Sequence, residues 1–382
     1  TGESTPGLPS IMARMLNRST RTHTFEQFNE AIDGLGAVIS VDADRDDIDV
    51  SFHGLTEDLG AVFSLAAELI LEPIFPDDEL DKVKQQAITG LREQESDTGS
   101  MASRALREQL YPEGHPYRIP VSGEIDSVTA LTSDDLAAYH QRSFGPNVTT
   151  IVLVGGVENL DVVVAQVERA FGSWTTPVAR AREVPPVDPP QETATKSYVI
   201  RGKSQADIAI AYPSLPRSLD KPYFAVNLAN VILGQLGLMG RLGANVRDKQ
   251  GLAYYASSSF GGGTANSVWS SRAGVDPGNI TRALDAILFE LRRIREEHVT
   301  AEELADAKSY LIGSLPLGLE SLGGVAGLSQ AIEKFGLGLD YLERYPGYIQ
   351  DLSQDDLLQA ARQYLNPDRL VIGIAGPESI ES

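Results

Sequence analysis

The sequence contains no cysteine among its 382 residues. This absence excludes disulfide bonds, thiolate metal ligands and a cysteine nucleophile. It leaves the redox state of the compartment open, because disulfides are absent from many proteins on both sides of a membrane. Any catalytic or metal-binding chemistry must therefore use other side chains.

Histidines are few and stand apart from one another. The sequence has five, His23, His53, His115, His140 and His298, and no two of them are three to five residues apart. Because zinc peptidases pair histidines one helical turn apart, this spacing predicts no such zinc site in the chain. Serine-hydrolase and nucleotide-binding functions also lack support, since the sequence has neither a GxSxG elbow nor a P-loop lysine motif.

Positive charge and long apolar runs are also scarce. The net charge is −21 and the pI is near 4.6, which argues against nucleic acid or anionic membranes as partners, because phosphate binding needs clustered Lys and Arg. The longest apolar stretches, such as 61–71, fall short of the roughly 20 residues that span a bilayer. We therefore expect a soluble chain without a membrane span, with bacterial periplasm and cytoplasm both open. A basic peptide would suit its charge.

Two parts of the chain resemble each other. The segment Leu131-Thr-Ser-Asp-Asp-Leu136 is similar to Leu352-Ser-Gln-Asp-Asp-Leu357, which lies 221 residues further on. A period this long indicates duplicated domains and excludes a solenoid of short units. Between the copies, residues 176–197 have the proline-rich composition of a semi-rigid linker. The predicted domains are therefore 1–175 and 198–382.

The same kinds of element are predicted in both copies. Apolar spacing and turn residues predict helices at 8–16, 24–32, 57–71, 77–95, 100–110, 134–141, 160–171, 281–297, 301–311, 325–335 and 355–364. Alternation predicts strands at 37–41, 48–52, 149–154, 196–201, 206–212 and 370–374. Thr24 and Gln27 have the spacing of a capping box. The expected fold class is α+β, with two homologous domains, each a mainly antiparallel sheet with helices over one face.

The two copies differ at their starts. The strands at 196–201 and 206–212 precede the first helix of the second copy, whereas nothing precedes the equivalent helix of the first copy. Shifted back by 221 residues, these strands would fall before Thr1. We therefore expect that Thr1 is not the native start and that the first strands of the first domain are missing from this numbering. Their loss would leave a sheet edge unpaired.

The stretch 230–260 carries the pattern on which the functional prediction depends. Gly234, Gly237 and Gly240 recur at every third position. We expect them to form a pliable loop, because glycine reaches backbone angles that other residues avoid.

A short helix and a strand are predicted after these glycines. Gly251 stands just past the helix, where a left-handed C-terminal cap favours glycine, and an aromatic-rich strand follows at 252–260. Arg247 would lie in the last turn of the helix and Tyr254 early in the strand, so that both could face one site. Alternatively, Arg247 only complements the helix dipole and Tyr254 only packs half-buried.

The segment VRDKQGLAY, which contains Arg247 and Tyr254, resembles the LRExxGLAY motif of the pitrilysin and insulinase (M16) metallopeptidases. The resemblance covers essentially the whole chain and implies the M16 fold, one half of a clamshell. It implies that both residues hold the substrate backbone, and that Tyr254 donates to the scissile carbonyl as it becomes an oxyanion. A donor placed in this way contributes on the order of 3 kcal/mol. Gly234, Gly237 and Gly240 would form a substrate loop.

The zinc motif of the M16 family is replaced in this chain. Where the family has HxxEH in a context like GLxHxxEHML, this sequence has GLPSIMARML. Ser10, Ala13 and Arg14 stand at the positions of the two ligands and the base. Glu93 and Glu95 lie near the expected position of the third ligand, yet a catalytic zinc needs three protein ligands. The resemblance thus implies that this chain binds no metal and that zinc is held by a partner subunit.

These features predict a division of labour between two subunits. The resemblance implies a non-catalytic, substrate-binding subunit of a heterodimeric zinc-dependent M16 peptidase, inactive alone, with an HxxEH-bearing homologue as partner and unfolded peptides as substrates. Two alternatives remain open. One is a structural M16 homologue, like the core proteins of respiratory complexes, and the other is a homodimer that captures peptides without cutting them.

Overall fold

The computed structural model describes residues 5–180, 183–261 and 265–377. Within them the chain forms two compact units. Unit 1 takes its described residues from Thr1–Glu93 and Ile119–Arg182, and unit 2 takes its own from Gln94–Arg118 and Glu183–Ser382. The sequence predicts a first domain of 1–175, whereas the structure places Gln94–Arg118 in unit 2.

The elements follow one another nearly in the predicted order. As far as Phe171 they are α1 (Leu8–Leu16), α2 (Phe25–Gly34), β1 (Val38–Ala43), β2 (Ile48–His53), α3 (Leu59–Leu71), α4 (Asp77–Glu95), α5 (Thr98–Leu110), α6 (Ile125–Ala130), α7 (Ser133–Ser143) and α8 (Leu160–Phe171). From Ala194 they are β3 (Ala194–Val199), β4 (Ala206–Pro216), α9 (Lys221–Gly234), α10 (Leu236–Leu242), β5 (Ala253–Gly261), β6 (Asn266–Val275), α11 (Ile280–Glu296), α12 (Ala301–Gly318), α13 (Leu322–Lys334), α14 (Tyr341–Gln350), α15 (Gln354–Tyr364) and β7 (Val371–Gly376). A π-helical segment, Gly243–Lys249, continues α10.

Unit 1 is built around α1. The apolar face of this helix is buried, as its spacing predicts, and consists of Leu8, Ile11, Met12, Met15 and Leu16. The next helix, α2, begins with the predicted capping box, in which Thr24 Oγ1 accepts from the backbone N–H of Gln27 and the Gln27 side chain accepts from that of Thr24. Both predictions are confirmed.

The strand predicted at 149–154 is wrong, because these residues form neither helix nor strand. The corresponding strand of unit 2, β7, lies between β3 and β4 and pairs with both. In the described part of unit 1, strand pairing is limited to the antiparallel β1–β2 hairpin, with no described strand beside 149–154. An apolar alternating sequence forms a strand only where a neighbouring strand supplies hydrogen-bonding partners.

The sheet of unit 2 has five strands in the order β3-β7-β4-β6-β5. Its pairings are antiparallel except that β3 and β7 run parallel. The central strand β4 is buried on both sides. Ile208 and Ile210 join the large core that also contains residues of α9, α11 and α15, while Ala209 and Ala211 join a smaller core with α5. Helices therefore cover both faces of this sheet, whereas the sequence analysis expected them over one face.

Helix α5 is held to the second face of the sheet by polar contacts at both of its ends. At its first residue, Thr98 Oγ1 donates to Asp207 Oδ2 on β4 over 2.5 Å. Near its last turn, Glu108 accepts from Lys196 and, over 2.6 Å, from Tyr198 Oη, both on β3. These contacts and the apolar packing explain why Gln94–Arg118 folds with unit 2.

Among the described residues, no single helix is both long and apolar enough to cross a membrane. Two helix pairs meet that criterion only when taken together. They are bent by 91° between Lys221–Gly234 and Leu236–Lys249, and by 113° between Ala301–Gly318 and Leu322–Lys334.

Candidate functional site

The three glycines of the predicted loop do not share one environment. Gly234 is the buried last residue of α9, so its placement in a loop is wrong. A β-carbon there would overlap the backbone nitrogen and Oγ of Ser258 on β5. Gly234 is therefore required for the close approach of helix to strand, because any larger residue would separate them.

Gly237 and Gly240 lie in the irregular part of α10, with φ values of 60° and 59°. Space is open around the position of a β-carbon on Gly237, whereas one on Gly240 would lie 2.5 Å from the carbonyl oxygen of Ile232. Between them, Met239 also has a positive φ of 73°. The side chain of Leu238 is 63% exposed. These residues, 237–240, form a loop that turns away from regular helix and presents an apolar side chain to solvent.

This loop is fixed at its base. Arg241, which is buried, donates from Nε to Glu303 Oε1 over 2.6 Å and from Nη2 to Glu303 Oε2 over 2.7 Å. Burial would raise the pKa of Glu303, but the hydrogen bonds from Arg241 and Thr300 outweigh it and lower the pKa to about 2. The paired charges tie α10 to the start of α12. The sequence does not predict this pair, because its two residues lie 62 positions apart in the chain.

Arg247 lies in the last turn of the π-helical segment, where the sequence predicts it. The backbone then reverses tightly, because the N–H of Gly251 donates to the Arg247 carbonyl and that of Leu252 to the Val246 carbonyl, both over 2.9 Å. Gly251 has the left-handed φ of 61° that the predicted cap requires. The guanidinium is half-buried, and its buried Nη1 has no hydrogen-bonding partner in the described part of the chain. An unsatisfied buried donor is costly and is available to a ligand.

Tyr254 sits at a β-bulge in the edge strand β5. Ala253 pairs with Val275 and Tyr255 pairs with Gly274, so Tyr254 is an extra residue without a partner on β6. Regular alternation from the buried Ala256 would turn Tyr254 toward the core, yet its side chain is 83% exposed. A bulge changes the direction of side chains in this way and is common beside active sites. The alternative that Tyr254 is a half-buried packing residue is therefore wrong.

The neighbouring Tyr255 is the tyrosine that packs. Its Oη donates to Asp207 Oδ1 over 2.5 Å, and burial, followed by this hydrogen bond, raises the pKa of Tyr255. Asp207 is only 4% exposed and also accepts from Thr98 and from Gln205. Neither Tyr255 nor Asp207 is predicted from the sequence as part of the site. The available signal was a single carboxylate in the otherwise apolar strand that begins at Ala206.

Arg247 and Tyr254 thus flank one tight corner of unit 2, here called the 247–254 corner. Arg247 offers an N–H donor at Nη1 that bonds to no residue in the described part of the chain. Tyr254 offers an O–H donor on an exposed side chain. Donors at such a corner can bind backbone carbonyl oxygens of an extended peptide. The corner adjoins the exposed loop 237–240, because the Met239 sulfur accepts from the N–H of Ala256 on β5.

The positions that correspond to the family's zinc motif lie on α1. Ala13 is buried, Arg14 is exposed and Ser10 is partly exposed. None of them supplies an imidazole or carboxylate ligand, so these residues do not fit a zinc ion. No group of three or more His, Cys, Asp or Glu side chains that could hold a metal occurs in 5–180, 183–261 or 265–377.

Comparison with known proteins identifies the family. Residues 2–119 match the model of insulinase (peptidase family M16), and residues 130–311 match the model of the peptidase M16 inactive domain. The chain belongs to the M16 family, as the resemblance indicated.

Several relatives are similar over most of the chain. An uncharacterized zinc protease of Streptomyces coelicolor is 25% identical, over 96% of this chain and 80% of its own. A non-peptidase homologue of Helicobacter pylori is 24% identical, over 92% of this chain and 80% of its own. The crystal structure of a peptidase M16 inactive domain from Pseudomonas fluorescens matches with a TM-score of 0.91 and 26% identity, covering 100% of this chain and 90% of that one. The M16 fold predicted from the sequence is confirmed.

Proposed function

We propose that this chain is the non-catalytic, substrate-binding subunit of a heterodimeric zinc-dependent M16 peptidase. The observation that carries the proposal is the contrast between two sites. The zinc positions Ser10, Ala13 and Arg14 hold no ligands, whereas Tyr254 is turned out to solvent by a β-bulge beside Arg247. A chain whose only role were scaffolding would have no need of a tyrosine that a bulge turns out to solvent.

In this proposal the 247–254 corner binds the peptide at the bond to be cut. Tyr254 Oη donates a hydrogen bond to the scissile carbonyl oxygen. This hydrogen bond becomes stronger as negative charge develops on the oxygen in the transition state. Arg247 donates to a neighbouring carbonyl, which satisfies its buried Nη1. Both groups act on the substrate and neither transfers a proton in the reaction.

The loop 237–240 contributes the apolar part of the same site. Leu238 is exposed, and its loop is joined to β5 through Met239. We expect Leu238 to contact an apolar side chain of the peptide, while Gly237 and Gly240 permit the backbone course and Gly234 permits the packing beneath it.

The partner in this proposal is an HxxEH-bearing M16 homologue. It would supply the zinc ion and the general base, and the two subunits would enclose an unfolded peptide between the halves of a clamshell. The net charge of −21 favours basic peptides over acidic ones.

The proposal is tested with a quenched, unfolded peptide and three samples: this protein, the HxxEH-bearing homologue from the same source, and their mixture. Cleavage only in the mixture, abolished by a zinc chelator and restored by added zinc, is the expected result. Cleavage by this protein alone would overturn the non-catalytic assignment. A stable complex on a sizing column that neither binds nor cuts the peptide would favour a structural M16 homologue. Peptide binding by a homodimer without cleavage would favour a capturing protein.

A further inference from the structure

A row of three paired residues crosses the sheet beside Tyr254. Tyr255 on β5 pairs with Gly274 on β6, and Gly274 pairs with Asp207 on β4. The three residues therefore lie side by side across three strands, and we call them the anchor row. Side chains in such a row point to the same face of a sheet, which here is the face that α5 covers.

The ring of Tyr255 reaches Asp207 across the intervening strand because Gly274 has no side chain. A β-carbon on Gly274 would lie 2.5 Å from Cε1 of Tyr255. With that space free, Tyr255 Oη comes within 2.5 Å of Asp207 Oδ1. This contact fixes both the direction and the position of the Tyr255 side chain.

Asp207 is itself held from two other directions. Its Oδ2 accepts from Thr98 Oγ1 at the first residue of α5, over 2.5 Å, and from Gln205 Nε2 over 3.1 Å. Because the carboxylate is buried, the loss of one of these donors leaves one of its hydrogen bonds unmade, which is costly away from water. The anchor row therefore joins β5 to β4 and to the start of α5.

A one-residue bulge places two consecutive residues where regular pairing has one. Tyr255 is fixed on the α5 face, and Ala253 occupies the core-side position opposite Val275. Tyr254 is excluded from the core position that alternation would give it, so it points to solvent. If β5 slipped by one residue to remove the bulge, Tyr254 would lie opposite Val275 and its hydroxyl would be buried.

We propose that Tyr255 and Asp207 are positioning residues for Tyr254. The hydrogen bond between them holds the bulge in β5, and the bulge presents the Tyr254 hydroxyl to the peptide. This inference deepens the proposed function and rests on it for its catalytic consequence. The claim that the anchor row holds the bulge in β5 does not depend on the proposed function.

The first test needs no partner subunit. Tyr255→Phe keeps the ring and removes only the donor, and Asp207→Asn removes the charge that the donor binds. In the full-length protein we expect both changes to speed amide hydrogen exchange in residues 253–260 by on the order of tenfold, with little change in strand β7.

The matched control is Tyr198→Phe. Tyr198 also donates to a carboxylate, that of Glu108 on α5, but it does so from β3, at the opposite edge of the sheet from β5. This variant should leave exchange in 253–260 unchanged. Exchange in 253–260 that is the same in the wild type and in both anchor-row variants, each shown to be folded, would overturn the inference.

The second test uses the cleaving mixture. An oxyanion donor acts mainly in the transition state, so Tyr255→Phe should lower kcat on the order of tenfold and change KM by less than about twofold. In a Tyr254→Phe background the same change should have no further effect on kcat, because Tyr255 acts through Tyr254. Equal losses in both backgrounds would contradict a positioning role. Exchange in 253–260 could be faster in Tyr255→Phe and Asp207→Asn while kcat is unchanged in Tyr254→Phe. That result would support the role of the anchor row in holding the bulge and would reject the proposed function.

Discussion

Arg241 and Glu303 form an ion pair with two parallel hydrogen bonds, of 2.6 and 2.7 Å. The pair joins the end of α10 to the first turn of α12, where Glu303 also completes the capping box with Thr300. It lies directly after the loop 237–240, so the position of that loop depends on a contact between residues 62 apart in the chain.

Breaking this pair should destabilise unit 2. Arg241→Met leaves Glu303 without its main partner, and we expect a loss of about 2 to 4 kcal/mol in the free energy of unfolding, because removing one member of a largely buried pair leaves the other charge uncompensated. Urea denaturation measures the effect. Substitution of the exposed neighbour Glu302 by Gln is the control and should change little. A loss below about 0.5 kcal/mol in Arg241→Met would show that the pair does not hold the helix.

Arg247 should respond in the opposite way. Its buried Nη1 has no partner among the residues that the structure describes, so Arg247→Met should leave the free energy of unfolding unchanged or raise it by up to about 1 kcal/mol. The same variant should weaken peptide cleavage by the mixture on the order of tenfold or more. A clear loss of stability, comparable with that of Arg241→Met, would mean that Arg247 is a structural residue.

Stability should fall in acid through two carboxylates. Burial would raise the pKa of Glu108, but hydrogen bonds from Lys196, Tyr198 and Arg104 outweigh it and lower the pKa to about 2. The pKa of Glu303 is likewise about 2. Both are below the ordinary value of 4.5, so each contribution is complete above pH 4.5 and is lost as the pH falls toward 2.

The test compares urea midpoints at pH 6, 4 and 3. Glu303→Gln should be less stable than the wild type at pH 6, and the difference should shrink as the pH approaches 3, since the wild-type carboxylate is losing its advantage. A difference that stays constant over this range would contradict the assigned direction of the pKa.

Gly240 and Gly237 provide a matched pair of substitutions. Both have φ near 60° and strongly negative ψ, so replacement by Ala strains the backbone by about 1 to 3 kcal/mol at either position. Only at Gly240 would the new β-carbon also meet the Ile232 carbonyl. Gly240→Ala should therefore lower the thermal midpoint more than Gly237→Ala does. The reverse order would show that the loop does not pack as described.

Local sequence patterns identified most elements of this fold. The helices predicted at 77–95 and 160–171 have those bounds in the structure, and the capping box at Thr24 forms as expected. Periodicity shows which side of a helix or strand is apolar. In these cases the residues of the element itself are enough to predict its type and its bounds.

Periodicity does not report which surface covers an apolar face. The pattern of α5 is that of any amphipathic helix, and only the tertiary structure shows that it packs on the sheet of unit 2. The predicted strand at 149–154 failed for the same reason, since a strand depends on neighbours that its own sequence does not specify.

The candidate site was predictable in part. The residue types and the spacing of Arg247 and Tyr254 identified the corner, yet two adjacent tyrosines look equivalent in the sequence. Tyr255 is held by Asp207, 48 residues earlier in the chain, and that contact determines which tyrosine is exposed. A bulge that depends on so distant a partner has no local signature.

The proposed role of Tyr254 is tested by kcat for a quenched unfolded peptide, cleaved by the HxxEH-bearing homologue mixed with the Tyr254→Phe variant. This change removes one exposed hydroxyl, so the protein should fold and associate as before. Tyr310→Phe, which removes another exposed hydroxyl, from α12, is the control. We expect kcat to fall on the order of tenfold or more for Tyr254→Phe and to stay unchanged for Tyr310→Phe. Equal kcat for wild type and Tyr254→Phe, in complexes of equal stability, would contradict the proposed role.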